Sequence, residues 1–191
     1  MFLAVSESLL YVKLKLTGVG DTMTLEHNAV LRMFSFIRLM FGSNEIEKIS
    51  SVLGEATTMM TFINTSESFR RTYGHIAGWF VDDHNDANKD KNNGYKARVM
   101  FYKDTPTLMI PLKLILGFTD YKKVLHQIDN MTLTLNRKSD AELVNEIFFG
   151  TAKIKNAANV EIEPKVEMTE FEWWIPNLTP NLYAEAFFEK R

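Results

Sequence analysis

Apolar and polar residues alternate along several stretches of the chain, which is the pattern of a β-strand with one buried face. Residues 8–17 show it most clearly, because leucine or valine occupies every second position and two lysines stand between them. Residues 131–137 and 166–175 alternate in the same way. The nearly apolar run 28–41 fits both a helical turn that begins after Asn28 and a strand, and we predict the turn followed by the strand.

A hairpin and two helices are predicted to follow this run. The sequence GSN at residues 42–44 is typical of a tight turn, and residues 46–52 are the expected returning strand. Over residues 54–76 the apolar period lengthens toward that of a helix. A second helix start is expected at Thr65 or Ser66. The first helix carries its apolar residues on one stripe, formed by Ala56, Met59, Met60 and Ile63.

The other segments predict a polar loop and further strands. Residues 82–94 are rich in Asp, Asn and Gly, so we expect an exposed loop there. Residues 95–102 and 107–110 are predicted strands on either side of a turn at Pro106. Residues 141–149 fit a short helix or an apolar strand. About eight strands without an alternating strand-helix order predict an all-β protein with short helical insertions, an antiparallel β-sandwich of jelly-roll or Greek-key type.

Composition allows this fold to form around a single core. The chain has 191 residues, of which 46% are hydrophobic, so it needs neither disulfides nor metals to be stable. The absence of cysteine excludes a thiolate nucleophile, a disulfide framework and any cysteine-ligated metal. The net charge is −2, which provides no overall field for binding nucleic acid or an anionic membrane.

The sequence predicts neither a signal peptide nor a membrane span. Glu7, Lys13 and Lys15 interrupt the first apolar run, and no positively charged start precedes it. No stretch approaches the ~20 uncharged apolar residues that cross a bilayer. We therefore expect synthesis in the cytoplasm and a soluble protein.

Motifs for catalysis or metal binding are weak. The run DDHND at residues 82–86 offers oxygen and imidazole ligands, but its spacing departs from that of a calcium loop, which favours a solvated loop. The histidines are scattered, and none forms the His-x-His pair of a metal-binding cupin. No serine stands in G-x-S-x-G, and no glycine-rich phosphate loop is present. We predict no enzyme activity, no catalytic residue, no cofactor and no metal site. The four histidines are His27, His75, His84 and His126.

Two groups of residues are candidates for contacts with other molecules. Each basic cluster has acidic residues nearby or lies in a loop, so a solvated surface is favoured over a face that binds DNA. Trp173 and Trp174 are adjacent on one predicted strand and therefore point to opposite faces. One is expected in the core, and the other is a candidate subunit contact. The basic clusters are Arg70 with Arg71, Lys89 with Lys91, Lys122 with Lys123, and Arg137 with Lys138.

Four groups of residues occur in an order that resembles one protein family. The central group begins at Ile110-Pro111-Leu112 and closes with the Leu-x-Leu-x-Arg strand that ends at Arg137. Its middle part consists of Gly117-Phe118, Asp120-Tyr121 and Lys123-Val124. The flanking groups are SLLYV at residues 8–12, Gly78-Trp79-Phe80 followed by Asn93-Gly94-Tyr95 and Arg98, and WWIPNLTPN at residues 173–181. This order resembles the double jelly-roll major capsid proteins of Maverick/Polinton-type and adintovirus-like DNA viruses.

The resemblance covers the first jelly roll of that family only. It implies a jelly-roll domain at residues 1–180, with residues 181–191 as a C-terminal extension or the start of a linker to an absent second jelly roll. The chain would then be a fragment, a truncated endogenous copy or a single-domain relative.

The same resemblance implies a structural virion protein that self-assembles into capsomers. Its partners would be itself, as a trimeric capsomer when a second jelly roll is supplied, and other capsid subunits. The alternative is a jelly-roll module that binds a carbohydrate or a protein partner without catalysis.

Overall fold

The computed structural model describes residues 2–85, 87–103, 105–120, 125–126, 130–150, 154–155 and 161–179. The longer strands are β2 (Leu9–Thr17), β4 (Phe34–Phe41), β5 (Asn44–Ser50), β6 (Thr107–Pro111), β8 (Met131–Arg137) and β12 (Lys165–Trp174). The shorter strands are β1 (Phe2–Leu3), β3 (Met23–Leu25), β7 (Leu125–His126), β9 (Phe148–Gly150), β10 (Ile154–Lys155), β11 (Glu161–Ile162) and β13 (Asn177–Leu178). The α-helices are α1 (Ala29–Arg32), α2 (Leu53–Asn64), α3 (Glu67–Thr72), α4 (Asn93–Tyr102) and α5 (Asp140–Glu146). Short 3-10 turns cover Val5–Glu7, Gly74–Ala77, Leu112–Leu114 and Gly117–Asp120.

The six longer strands form two three-stranded antiparallel sheets. In the first, β2 lies between β12 and β6; in the second, β4 lies between β5 and β8. The alternation of residues 8–17 explains the central place of β2, because Leu10, Val12 and Leu14 are fully buried on one side. The β4–β5 hairpin turns at Gly42, whose φ of 57° favours glycine.

The strand pairs are nested along the chain. Inside the terminal pair of β1 with β13, three further pairs follow in order: β2 with β12, β3 with β9, and innermost β4 with β8. All three pairs are antiparallel, so the later strands of the chain pair with the earlier strands in reverse order. Such nesting is what results when a long antiparallel hairpin is folded over on itself.

Side chains from the sheet centred on β2 and from the sheet centred on β4 belong to one hydrophobic core. Leu10 and Val12 from β2 share it with Ile37 and Leu39 from β4. Arg137 at the end of β8 also donates a hydrogen bond from Nη2 to the carbonyl oxygen of Val166 in β12, at 3.1 Å. The two sheets are therefore joined by apolar packing and by a direct polar contact.

The predicted strands at residues 8–17, 131–137 and 166–175 are confirmed, as are the hairpin and the two helices after it. For residues 141–149 the sequence predicts a short helix or a strand, and the structure contains both, since α5 is followed by β9. A capping box begins α5, in which Ser139 and Glu142 bind each other's backbone N–H groups.

The strand predicted at residues 95–102 is wrong, because this segment is the helix α4. The Asn92 side chain caps it by accepting a hydrogen bond from the Tyr95 N–H at 3.0 Å. Tyr95, Arg98 and Tyr102 then follow at helical spacing, and all three are buried.

The coarse fold prediction is confirmed, since the described residues form several antiparallel sheets with short helices between them. Helices account for nearly as many residues as strands, so they are more than minor insertions in an all-β fold. The finer assignment to a jelly-roll sandwich stays a prediction. The expected extension at residues 181–191 lies outside the described residues.

Candidate functional site

The two candidate contact residues, Trp173 and Trp174, lie at the end of β12 and face opposite ways. A bulge between Met168 and Glu170 shifts the register of β12 against β2. Simple alternation would put Met168 and Trp173 on opposite faces, but the bulge brings both onto the core side. Trp174 faces outward and is 42% exposed.

Trp174 is held flat against the outer face of the sheet. Its ring stacks on Tyr11, with centroids 4.8 Å apart and planes 6° from parallel. Its indole Nε1–H donates to a carboxylate oxygen of Glu172 at 2.5 Å. The ring is therefore fixed in position while much of its surface still meets solvent.

A groove of about 360 Å³ opens on this same outer face. The sheet register places Trp174 beside Leu9, and Leu9 beside Pro111 at the end of β6. Helix α3 and the turn that follows it supply the opposite wall. The lining is mainly apolar, with one acid and one base: Ser6, Glu7, Ser8, Leu9, Phe69, Tyr73, Ile76, Met109, Pro111 and Lys113.

Helix α2 presents a second apolar surface, which is larger. Its buried residues are Leu53, Gly54, Thr57 and Thr61, whereas its large apolar side chains other than Leu53 face solvent. This polarity is the reverse of that of an ordinary surface helix. We call the exposed set the α2 surface; its exposed fractions are 54% for Val52, 66% for Met59, 43% for Met60, 56% for Phe62 and 77% for Ile63.

The buried threonines of α2 satisfy their own hydroxyl groups. Thr57 Oγ1 donates to the carbonyl oxygen of Leu53 at 2.7 Å, and Thr61 Oγ1 donates to that of Thr57 at 2.8 Å. A hydroxyl bonded within its own helix needs no outside partner, so threonine can occupy a buried face without an unpaired polar group. The inverted polarity of α2 therefore leaves these two hydroxyls satisfied.

Close approach to the preceding segment fixes the orientation of α2. A Cβ added to Gly54 would lie 3.0 Å from the Arg32 Cα and would overlap the Arg32 Cγ. Arg32 also donates from Nη1 to Glu55 Oε1 at 2.8 Å. These contacts place the glycine and threonine side of α2 inward, so the methionines and Ile63 must face outward.

The C-terminal end of α2 is fastened by Arg70. Its Nη1 donates to the carbonyl oxygen of Thr65 at 2.5 Å and to that of Phe62 at 3.2 Å, while its guanidinium lies 5.2 Å from the centre of the Phe62 ring. Phe62 also meets Trp79 edge to face, at a centroid distance of 4.9 Å. The aromatic end of the α2 surface is thus held in one position.

The sequence identified this apolar stripe but not the side that it faces. Ala56, Met59 and Ile63 do share one stripe, which a helix would ordinarily turn toward the core. The opposite stripe of Gly54, Thr57 and Thr61 was the available indication that the small residues pack inward.

The loop at residues 82–94 is exposed along most of its length, as predicted, but it does not begin as a solvated acidic run. Asp82 Oδ2 accepts a hydrogen bond from Arg98 Nη1 at 2.9 Å, and the Arg98 side chain is only 1% exposed. Asp83 accepts hydrogen bonds from the backbone N–H and the side chain of Asn93. Two of the acids therefore anchor the loop to α4.

His27 completes the group around Asp82. Its Nε2 lies 3.1 Å from Asp82 Oδ2 and also contacts Arg98, and its ring stacks on Trp79 at 4.9 Å. Burial would raise the pKa of Asp82, but the hydrogen bond with His27 and the charge of Arg98 outweigh it and lower the pKa below its usual 3.8. The carboxylate therefore stays ionised as the partner of a buried cation.

The other candidate ligands and basic clusters add no assembled site in the described parts of the chain. No three His, Asp or Glu residues there are arranged to hold a metal ion. Within those parts, no helix is long and apolar enough to cross a membrane. Arg71 pairs with Glu67, and Arg137 with Asp140. Lys122 and Lys123 lie outside the described residues.

Comparison with known proteins gives no relative for this chain. No family model, no curated protein and no solved structure matches it.

Proposed function

We propose that this chain is a structural subunit, a jelly-roll domain similar to the first half of a double jelly-roll major capsid protein, which self-assembles into capsomers. Its place would be the virion, and its partners would be copies of itself and other capsid subunits. The proposed function includes no catalytic step, because self-assembly depends on the complementarity of subunit surfaces.

The nested strand order supports the fold part of the proposal. A jelly roll arises when a long antiparallel hairpin wraps around a core, so early strands pair with late ones. The pairs β2 with β12, β3 with β9, and β4 with β8 follow that order. The shared core of the two larger sheets is also what such a sandwich requires.

The observation that carries the functional part is the apolar α2 surface. Exposed apolar side chains are ordinary when scattered singly, but a rigid contiguous group of them is typical of a protein contact site. Met59 and Ile63 lie one helical turn apart and are 66% and 77% exposed. Trp174 on Tyr11 supplies another fixed apolar contact on a different part of the domain.

Measuring the mass of the purified chain tests this function. Light scattering combined with electron microscopy should find trimers or larger closed particles whose fraction rises with protein concentration. A chain that remains monomeric at all concentrations would contradict the proposal.

The groove beside Trp174 favours a second candidate, a carbohydrate-binding or partner-binding module. Tyr73 and Phe69 offer aromatic rings, and Glu7 and Lys113 offer hydrogen-bonding groups in the same lining. A glycan array distinguishes the two functions. Sugar binding that Tyr73→Ala abolishes, by a chain that is monomeric, would support the binding module.

A further inference from the structure

The exposed stripe of α2 has the spacing of a helix that packs against another helix. Ala56, Met59 and Ile63 are separated by three and four residues, so they fall on one face of α2, and Val52 precedes the helix as its N-cap residue. The small Ala56 lies between large neighbours and leaves room for a side chain from a facing helix. This face is therefore shaped to receive another helix.

The size of the α2 surface agrees with one face of a protein dimer. Its five exposed fractions lie between 43% and 77%. At roughly 190 Å² for each large apolar side chain, they leave about 550 Å² of apolar surface in solvent. A standard interface buries about 800 Å² on each partner, of which about 65% is apolar in homodimers, or roughly 520 Å². The partner that covers the α2 surface should therefore be a protein with a contact surface about as long as α2.

Charges along this segment are arranged to fit an antiparallel copy. No charged residue occurs from Ala56 to Ser66. Glu55 marks the beginning of α2, and Arg70 lies beyond its end, fastened to the last turn. A second α2 running the opposite way would bring Glu55 of each copy toward Arg70 of the other. The two helix dipoles would then be antiparallel, which is favourable.

We propose that the α2 surface packs against the α2 surface of a second copy of this chain, with the helices antiparallel about a twofold axis near Met59. This inference rests on the proposed self-assembly and specifies the residues that make one of its contacts. The contact is symmetric, so each copy supplies the same stripe of side chains.

Introducing charge into the stripe tests the contact. In the double variant Met59→Asp, Ile63→Asp, burying two carboxylates from each copy should raise the dimer dissociation constant at least about a hundredfold. The matched control is Met100→Asp, because Met100 is 68% exposed and lies on α4. Circular dichroism and analytical ultracentrifugation of both variants compare folding and mass, and the control should match the unaltered chain in both.

A cross-linking experiment tests the antiparallel arrangement with milder substitutions. The chain has no cysteine, so a single introduced thiol reports on one position only. In the variant Met59→Cys, the introduced thiols of the two copies lie close together near the twofold axis and should form a disulfide-linked dimer under mild oxidation. Met100→Cys, oxidised at the same concentration, should remain mostly monomeric on a denaturing gel.

The outcomes separate this inference from the proposed function. Loss of the dimer in the charged variant, together with cross-linking through Met59→Cys, supports the α2 contact even if no larger particle forms. Assemblies that persist in the charged variant would overturn the α2 contact and leave self-assembly standing. A chain that is monomeric without any substitution would overturn both.

Discussion

Arg98 Nη1 lies 2.9 Å from Asp82 Oδ2, and this contact joins helix α4 to the start of the polar loop before it. The Arg98 side chain is 1% exposed, whereas the Asp82 side chain is 29% exposed. A buried guanidinium requires a nearby anion, since an unpaired charge inside a protein is strongly unfavourable. Asp82 is therefore a residue of structural importance in a segment whose composition suggests only a solvated loop.

Replacing Asp82 by Asn should destabilise the fold. The amide keeps the shape of the side chain but removes the charge that balances Arg98, so we expect a loss of about 2 kcal/mol in the free energy of unfolding. Urea denaturation measures this loss. Glu67→Gln is the control, because its partner Arg71 is an exposed neighbour on α3 and the expected change is within about 0.5 kcal/mol. Equal losses in the two variants would contradict the role of Asp82.

Acid should weaken the protein through the same carboxylate. The pKa of Asp82 is lower in the folded protein than its usual 3.8, so the stabilisation is fully present above about pH 4 and is lost as pH falls through the folded pKa. Unfolding free energies measured between about pH 5 and pH 2 should fall less steeply for Asp82→Asn than for the unaltered chain. Part of the slope should remain, because the pKa values of Asp83 and Glu142 are also lowered, by their hydrogen bonds with Asn93 and Ser139.

Replacing Gly54 by Ala should destabilise the protein although alanine favours helices. The gain in helix propensity is about 1 kcal/mol, but the new methyl group would collide with Arg32, at a cost of about 1–3 kcal/mol. We expect a net loss of about 1 kcal/mol in urea denaturation. Gly117→Ala is the matched control, since the nearest atom to its added Cβ is Glu47 Oε1 at an ordinary 3.6 Å. A stabilised Gly54→Ala variant would show that α2 lies farther from Arg32.

The two tryptophans should respond differently to truncation. Trp173→Ala removes a ring packed on the core and should cost about 3 kcal/mol of stability. Trp174→Ala should cost about 1 kcal/mol, the value of its stacking on Tyr11, but should weaken assembly. Denaturation and light scattering of both variants measure the two effects. If Trp174→Ala assembles as the unaltered chain does, Trp174 is not a subunit contact.

Much of the strand content could be predicted from the sequence because a half-buried strand leaves a two-residue period. Residues 8–17 and 131–137 carry that period, and both are strands. The strand prediction for residues 95–102 is wrong because so short a stretch fits either period, and only the structure shows that Asn92 caps a helix there. Local patterns therefore predict the type of an element correctly where the residues fit one period clearly better than the other.

The candidate site was predictable only in part. The apolar stripe of α2 and the opposed tryptophans are visible in the sequence, whereas the partnership of Asp82 with Arg98 and His27 joins residues distant along the chain. Nothing in local composition distinguishes an acid that is solvated from one that neutralises a buried guanidinium.

By itself, the sequence determined most of the positions at which the chain forms strands and helices and which of their faces are apolar, because those properties depend on residue spacing and side-chain chemistry. Only the tertiary structure decided which apolar faces are covered. The bulge in β12 turned Trp173 inward, and the close contact of Gly54 with Arg32 turned Met59 and Ile63 outward. Both results depend on how distant segments pack, since the backbone must satisfy its hydrogen bonds and fill the core at the same time.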